Sequence, residues 1–562
     1  MSTLVTLPAD VQLLILDYIQ LPSHLKAICL ASKAWNDLAR PLLYRKVTIN
    51  VFDKDEVMRF ERCMDAGAQA HLDATRSLTL MDSLPPPEAP EFQVQAHRHF
   101  NKAEKLSQVE ISQIRAVLAY FPANRLHTFR FLSTLSFHAE TAHDLFRRQA
   151  ATLTHVHLRL DDFTLLNSLQ CLKTADLWLP YVYADWVKFD EERLMTFFSQ
   201  ISSYKQMERL HIGTESGQEE KTHDHRLGDR LAKAFSCQNN HSGRLENLRQ
   251  LTLSGVALSE SLHEGISKII SFSQLTYLTL WGSPYAVNFA SALAHGLGSH
   301  KLQLKHLGLY IHKNDINLED FDTLLYSCTE LKSLCLEWNC WNQRSFESLM
   351  VCLRNVGQQL ILLSIHKTGD HNVGRSDTIV TQKALENICL ACPNLEQFGY
   401  RITERSLMSS NNFRRSLLPI HELSKLRTLH LRQSFLYGSS DLAYFDNLIH
   451  RSAKEFFADL EPQSRCPSLD TLIIGQERQA RRGDERSHSD PRYVKMDEHE
   501  PARCFRFRRL MCNNETKCST PYLIPLAEFR ATSDYAEILD WQTAHEAFSD
   551  WMWRIPGRFN DD

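Results

Sequence analysis

One pattern occurs five times in succession in this chain. It reads Leu248-x-x-Leu251-x-Leu253, Leu275-x-x-Leu278-x-Leu280, Leu304-x-x-Leu307-x-Leu309, Leu331-x-x-Leu334-x-Leu336 and Leu360-x-x-Leu363-x-Ile365. Its middle leucines, at 251, 278, 307, 334 and 363, are 27 or 29 residues apart. In Leu-x-Leu the two side chains share one face of a strand, because successive side chains alternate. The intervening residues run at helical spacing. Leu318, Phe321, Leu325 and Cys328 form one stripe; Phe346, Leu349, Leu353 and Val356 form another; Leu385, Ile388, Cys389 and Cys392 form a third. Each is one face of a helix. A lone strand–helix unit cannot bury such a face, so the units must stack. The chain is therefore expected to be an α/β repeat solenoid. That architecture also suits 562 residues, too many for one ordinary core.

The motif and its period resemble leucine-rich repeats. Wider-spaced copies follow at Leu395-x-x-Phe398-x-Tyr400, Leu426-x-x-Leu429-x-Leu431 and Leu469-x-x-Leu472-x-Ile474. Looser ones precede it at Leu78-Thr-Leu80, Leu126-x-x-Phe129-x-Phe131, Leu153-x-x-Val156-x-Leu158, Leu172-x-x-Ala175-x-Leu177 and Met207-x-x-Leu210-x-Ile212. Their uneven gaps predict an irregular half over 51–247 and a regular one over 248–475. Pro85-Pro86-Pro87 and the polar run Thr214–His225 read as loops. Residues 476–500 read as a solvated mixed-charge loop, and 501–562 as a C-terminal cap in which Trp541, Trp551 and Trp553 cover the last open turn.

The first fifty residues differ in character. Pro8 suits the first turn of a helix, and Val11, Leu14, Ile15 and Tyr18 make an apolar stripe. A second helix runs through Leu25, Ile28, Cys29 and Leu30; a third holds Trp35 and Leu38 and is expected to end at Pro41. Leu7-Pro8, the Val11/Leu14/Ile15/Ile19 stripe, Ser32-Lys33-Ala34-Trp35 and Pro41-Leu42-Leu43-Tyr44-Arg45 together resemble an F-box. The resemblance covers about 45 residues. It implies a three-helix module over 1–50, ahead of a leucine-rich-repeat horseshoe. It further implies docking on the Skp adaptor of a cullin–RING ubiquitin ligase. Leu7, Pro8, Leu14, Ile15 and Leu25 would belong to the adaptor surface, with Val11, Ile19, Leu30 and Trp35 shared between that surface and the module's core. Cysteine three residues before the first leucine, in Cys328/Leu331, Cys392/Leu395 and Cys466/Leu469, is similar to the cysteine-containing repeats of many F-box proteins. Cys389-x-x-Cys392 is then the buried end of a repeat helix, and no second pair at zinc-ligand spacing stands near it.

The remaining features point to binding rather than chemistry. Lys plus Arg number 63 against 67 Asp plus Glu, without the basic excess of a general nucleic-acid binder. The start lacks a basic, apolar leader, no run approaches 18 apolar residues, and 14 scattered cysteines suit reduced thiols. A cytoplasmic or nuclear protein with no membrane span is expected. Gly-x-Ser-x-Gly, the phosphate-cradling glycine loop and His-Glu-x-x-His are all missing, so neither an active site nor a cofactor is expected. Binding should use strand residues that point away from the core. That places Trp281, Tyr310 and Trp338 in an aromatic patch and His366, Lys367, Arg401, His430 and Arg432 in a basic one. Aromatic and arginine side chains are common interface anchors. The basic patch would favour an acidic or phosphorylated protein segment, with Arg401 and Arg432 as phosphate partners. Two functions fit: the substrate receptor of a Skp–cullin–F-box ligase, or a repeat scaffold acting without ubiquitin transfer.

Overall fold

A computed structural model describes residues 7–19, 22–81, 106–133, 135–160, 163–179, 204–214, 231–232, 244–256, 258, 260–281, 285–296, 302–311, 318–338, 343–367, 382–402, 413, 415, 417–432, 442–460, 466, 468–475, 503–507, 509–512, 515–518, 521–524, 529, 533–535 and 537–539. The expected loops at 81–100 and Thr214–His225 each begin on the last residue of a strand, Met81 and Thr214; the rest of both, the run 476–500 and the three C-terminal tryptophans lie outside the described residues.

Three helices come first: α1 (Ala9–Asp17), α2 (Pro22–Ala31) and α3 (Lys33–Leu43). Pro8 is the residue capping α1 rather than part of its first turn; its carbonyl accepts from the Val11 and Gln12 amides. Ser32 caps α3 through its hydroxyl, which accepts from the Trp35 amide. Pro41 does not end α3 as the sequence suggested. It sits in the last turn, where its missing N–H removes one bond only, and the helix closes with the Tyr44 amide on the Arg40 carbonyl. Leu16, Leu25 and Ala39 form a small core of their own, with Ile19, Ile28, Cys29, Trp35, Leu38, Leu42 and Leu43 packed around it.

The sheet then begins at β1 (Lys46–Asn50), inside the segment assigned to the helical module. Tyr44-x-x-Val47-x-Ile49 is a repeat motif with an aromatic in its first place. It pairs in parallel with β2 (Ser77–Met81). There follow β3 (Thr128–Leu132), β4 (His155–Arg159), β5 (Thr174–Leu179), β6 (Arg209–Thr214), β7 (Gln250–Ser254), β8 (Tyr277–Trp281), β9 (His306–Ile311), β10 (Ser333–Trp338), β11 (Leu362–Lys367), β12 (Gln397–Arg401), β13 (Thr428–Arg432) and β14 (Thr471–Ile474). Each pairs in parallel with the next, in chain order. The middle residue of every motif lies opposite that of its neighbour: Leu210, Leu251, Leu278, Leu307, Leu334, Leu363, Phe398, Leu429 and Leu472 form one continuous row. A one-residue slip anywhere would turn that strand's leucines to the wrong face.

The connecting helices include α4 (Lys54–Asp65), α5 (Gln108–Ala119), α6 (Ala139–Gln149), α7 (Glu260–Ile269), α8 (Ala286–Gly296), α9 (Leu318–Ser327), α10 (Gln343–Val356), α11 (Gln382–Ala391) and α12 (Leu442–Leu460). Their apolar stripes join the strand leucines in one core running from Ile49 to Phe507. Cys328, Cys389, Cys392 and Cys466 are buried in it. Burial raises the thiols of Cys328 and Cys392 to about 12. After β14 the direction changes. β15 (Arg503–Arg506) adds to β14 antiparallel, β16 (Arg509–Cys512) and β17 (Glu515–Cys518) form a separate hairpin, and β18 (Tyr522–Ile524) adds to β15. None of the described helices is long and apolar enough to cross a membrane.

A candidate binding face and the segment that fills it

With the leucines turned to one side, three rows of residues occupy the sheet's second face. The middle row reads Arg130, His157, Asp176, His211, Thr252, Thr279, Gly308, Cys335, Ser364, Gly399, His430 and Ile473 from β3 to β14. The row changes character along the sheet: ionisable on β3–β6, small on β9–β12.

In the ionisable part, Asp176 lies between two histidines. His157 Nδ1 is 2.5 Å from its Oδ2, and His211 Nδ1 contacts its Oδ1. Burial works to raise the Asp176 pKa, but attraction to both imidazoles and their hydrogen bonds hold it well below the usual carboxylate range. Both imidazoles present Nδ1 to the carboxylate, and His211 Nε2 lies 3.1 Å from the Ser254 hydroxyl. Trp178 packs edge-on to His211, its ring lying against Gly213. The order Ser254–His211–Asp176 is that of a nucleophile relay. Ser254, however, is 2% exposed, and a substrate carbonyl cannot approach an oxygen so enclosed. The network's evident effect is to tie β4, β5, β6 and β7 together. Sequence reading missed it; its signal was three ionisable residues at equivalent places in consecutive motifs.

In the small-residue part the face is occupied by the chain's own C-terminal region. Phe529, Ile538 and Leu539 are buried with Trp281, Cys335, Leu362, Ile473 and Cys504, against Tyr277, Tyr310 and Ile524. Polar contacts fix the register. Glu537 Oε1 lies 2.9 Å from His306 Nδ1 and accepts from the Ser333 hydroxyl at 3.2 Å. The Ile538 amide donates to Gln397 Oε1 at 2.8 Å, and the Thr428 hydroxyl donates to the Tyr535 carbonyl at 2.9 Å. The Arg427 guanidinium lies 4.5 Å above the Tyr535 ring. Gly399 permits the close approach: a Cβ there would stand 3.0 Å from Ile538 Cδ1.

This arrangement corrects the expected patches. Trp281 is 5% exposed and Arg432 1% exposed, so neither is a free anchor. His430 is buried and directs Nε2 to the Gly475 carbonyl at 2.9 Å. Arg432 donates to His430 Nδ1 at 3.3 Å and to the Ile538 carbonyl at 3.5 Å, and it is not placed as a phosphate partner. Tyr310 is half-buried against the same cluster. Arg401 is half-buried, and desolvation lowers its pKa. Trp338, His366 and Lys367 lie in register on β10 and β11; their side chains fall outside the described residues. The acid-accepting groups are instead His306 and Ser333, which sequence reading did not select.

The first three helices carry the other expected site. Val11, Leu14 and Leu30 are exposed, Leu14 by 61% and Leu30 by 79%; Leu13 and Tyr18 join them. Pro8 is also exposed, while Leu7, Ile15, Ile19 and Trp35 are half-buried. Leu25 was expected on the adaptor surface but is buried in the module's own core with Leu16. An apolar stripe in a three-helix unit does not by itself say which side turns inward.

No protein-family model and no curated protein matches this chain. Solved structures that it resembles include the leucine-rich repeat-containing protein LegL7 from Legionella pneumophila, at 14% identity over 59% of this chain and 92% of that one, with a TM-score of 0.33. They also include the TLR13–ssRNA13 complex, at 15% identity over 67% of this chain and 38% of that one, with a TM-score of 0.25. Independently of these likenesses, the motif period, the unbroken parallel register and the shared leucine core define the described residues as an α/β repeat solenoid built on the Leu-x-x-Leu-x-Leu motif and preceded by three helices.

Proposed function

We propose that this chain is the target-receptor subunit of a Skp–cullin–F-box ubiquitin ligase, the first three helices engaging the adaptor and the repeats holding the target. The observation that supports this reading most is the exposure of Val11, Leu14 and Tyr18 along one side of α1, with Leu13 and Leu30 exposed as well. These residues lie on helices that already possess a core of their own, so their apolar surface is surplus to the module's folding. An exposed apolar set of this kind marks an interaction site. The chain's own contribution to ubiquitin transfer would be proximity.

The test is a pull-down of tagged chain from an extract of its host. Wild type should retain the adaptor and a cullin; Leu14→Asp/Leu30→Asp should lose both and keep its thermal midpoint, because both positions face solvent. Adaptor without cullin would favour the scaffold reading. Full retention by the double variant would remove the F-box assignment.

A further inference from the structure

The four small residues Gly308, Cys335, Ser364 and Gly399 occupy equivalent places on four consecutive strands. On either side the row is bulkier, with Thr279 before and His430 after. Four successive small residues make a trough in the sheet's second face, and a segment more than 130 residues away in sequence lies in it. We propose that this trough is a peptide-binding groove, and that Tyr535 and Glu537–Leu539 occupy it in cis as a displaceable stand-in for a partner. Such a partner carries an acidic side chain followed directly by two branched aliphatic ones, as in Glu537-Ile538-Leu539.

The acid and the first aliphatic residue each have a matching receptor group, and Leu539 is buried in the same cluster. The acid is read by His306 and Ser333. The first aliphatic residue is admitted by the missing side chain of Gly399. Backbone groups at both ends are read by side chains of the sheet, the Ile538 amide by Gln397 and the Tyr535 carbonyl by Thr428. Such contacts recognise a main chain and a short side-chain pattern, not a folded surface. Glu537 and His306 remain roughly one-third and one-quarter exposed, so the acidic end is the open edge where exchange can begin. As an account of target choice the inference rests on the receptor reading; as an account of the groove it does not.

The probe is a fluorescein-labelled synthetic peptide of residues 529–540, followed by anisotropy with full-length protein. In wild type the tethered segment competes at an effective concentration in the millimolar range. The variant Ile538→Asp/Leu539→Asp vacates the groove and should bind the peptide at least about tenfold more tightly than wild type. Adding Gly399→Leu to that variant should abolish binding, as should Glu537→Lys in the peptide. Equal affinity for wild type and vacated protein, or binding indifferent to Gly399→Leu, overturns the proposal. Should the double variant fail to fold, full-length Glu537→Lys removes only the polar anchor and should raise peptide affinity several-fold; no change would equally overturn it. Adaptor capture is measured on the same preparations. Protein that captures adaptor but never peptide rejects the groove alone, and protein that binds peptide but not adaptor rejects the receptor reading alone.

Discussion

Replacing Asp176 by asparagine tests the buried relay on β4–β7. The carboxylate accepts from His157 and His211, and its side chain is only 16% exposed. Hydrogen bonds to a charged group contribute about 1.5–3 kcal/mol each. Asparagine retains one acceptor and sets its NH2 against the other imidazole, which can answer by changing tautomer. We therefore expect a net loss of about 2–4 kcal/mol at pH 7. In a repeat array the loss is felt first by the neighbouring units, so the suitable assay is amide hydrogen exchange of β4, β5 and β6. Opening there should become roughly 30- to 1,000-fold more frequent, with β11–β13 little changed. The pH dependence has a definite sign. The native pKa of Asp176 is depressed, so its contribution is complete above the unfolded value, about 3.9, and is lost as pH falls through the native value. Wild type and Asp176→Asn should thus converge in acid and diverge towards neutrality. A constant difference from pH 7 to pH 3, or none at pH 7, would refute the reasoning.

Three further perturbations follow from local geometry. Gly357→Ala would place a Cβ 2.4 Å from the Ala391 carbonyl oxygen, so backbone must move; a cost of about 2 kcal/mol or more should appear as a lowered thermal midpoint. Ser107→Ala breaks a capping box in which the Ser107 amide donates to Glu110 at 2.6 Å and the Glu110 amide to Ser107 Oγ at 3.3 Å, costing about 1 kcal/mol in a urea titration. Cys328, Cys352, Cys392 and Cys504 have thiols raised to about 12 by burial, leaving roughly one in 100,000 as thiolate at pH 7. Brief alkylation of folded protein followed by mass spectrometry should label exposed Cys63 and spare all four.

The strands were legible because a single rule, leucine every second residue on one face, repeats with a nearly fixed period. Even the irregular half obeyed it, as Ala175 of β5 lying opposite Leu210 of β6 illustrates. The first strand was hidden by Tyr44, an aromatic where leucine was sought. The outward residues were harder for a physical reason. Periodicity tells that Trp281 and Arg432 leave the leucine core, but not that Trp281 is buried in a cluster that includes Ile538 and Leu539, or that Arg432 meets the Ile538 carbonyl. Such long-range closure has no local signature; the readable trace was the run of small residues at 308, 335, 364 and 399, which a search for large anchors passes over. In the helical module, spacing put Val11, Leu14, Ile15 and Tyr18 on one stripe of α1 but could not show that Leu16, outside that stripe, and Leu25 turn inward while Leu14 and Leu30 are exposed.

Only Tyr44 and Arg45 separate the end of α3 from the first strand. The Thr75 hydroxyl donates to the Tyr44 carbonyl at 2.9 Å, and the Tyr44 ring lies 5.3 Å from that of His71. A joint this short and this well fastened offers almost no swivel. Cargo gripped at one end would be carried like a load on a crane's jib, its reach set by the number of repeats between grip and base.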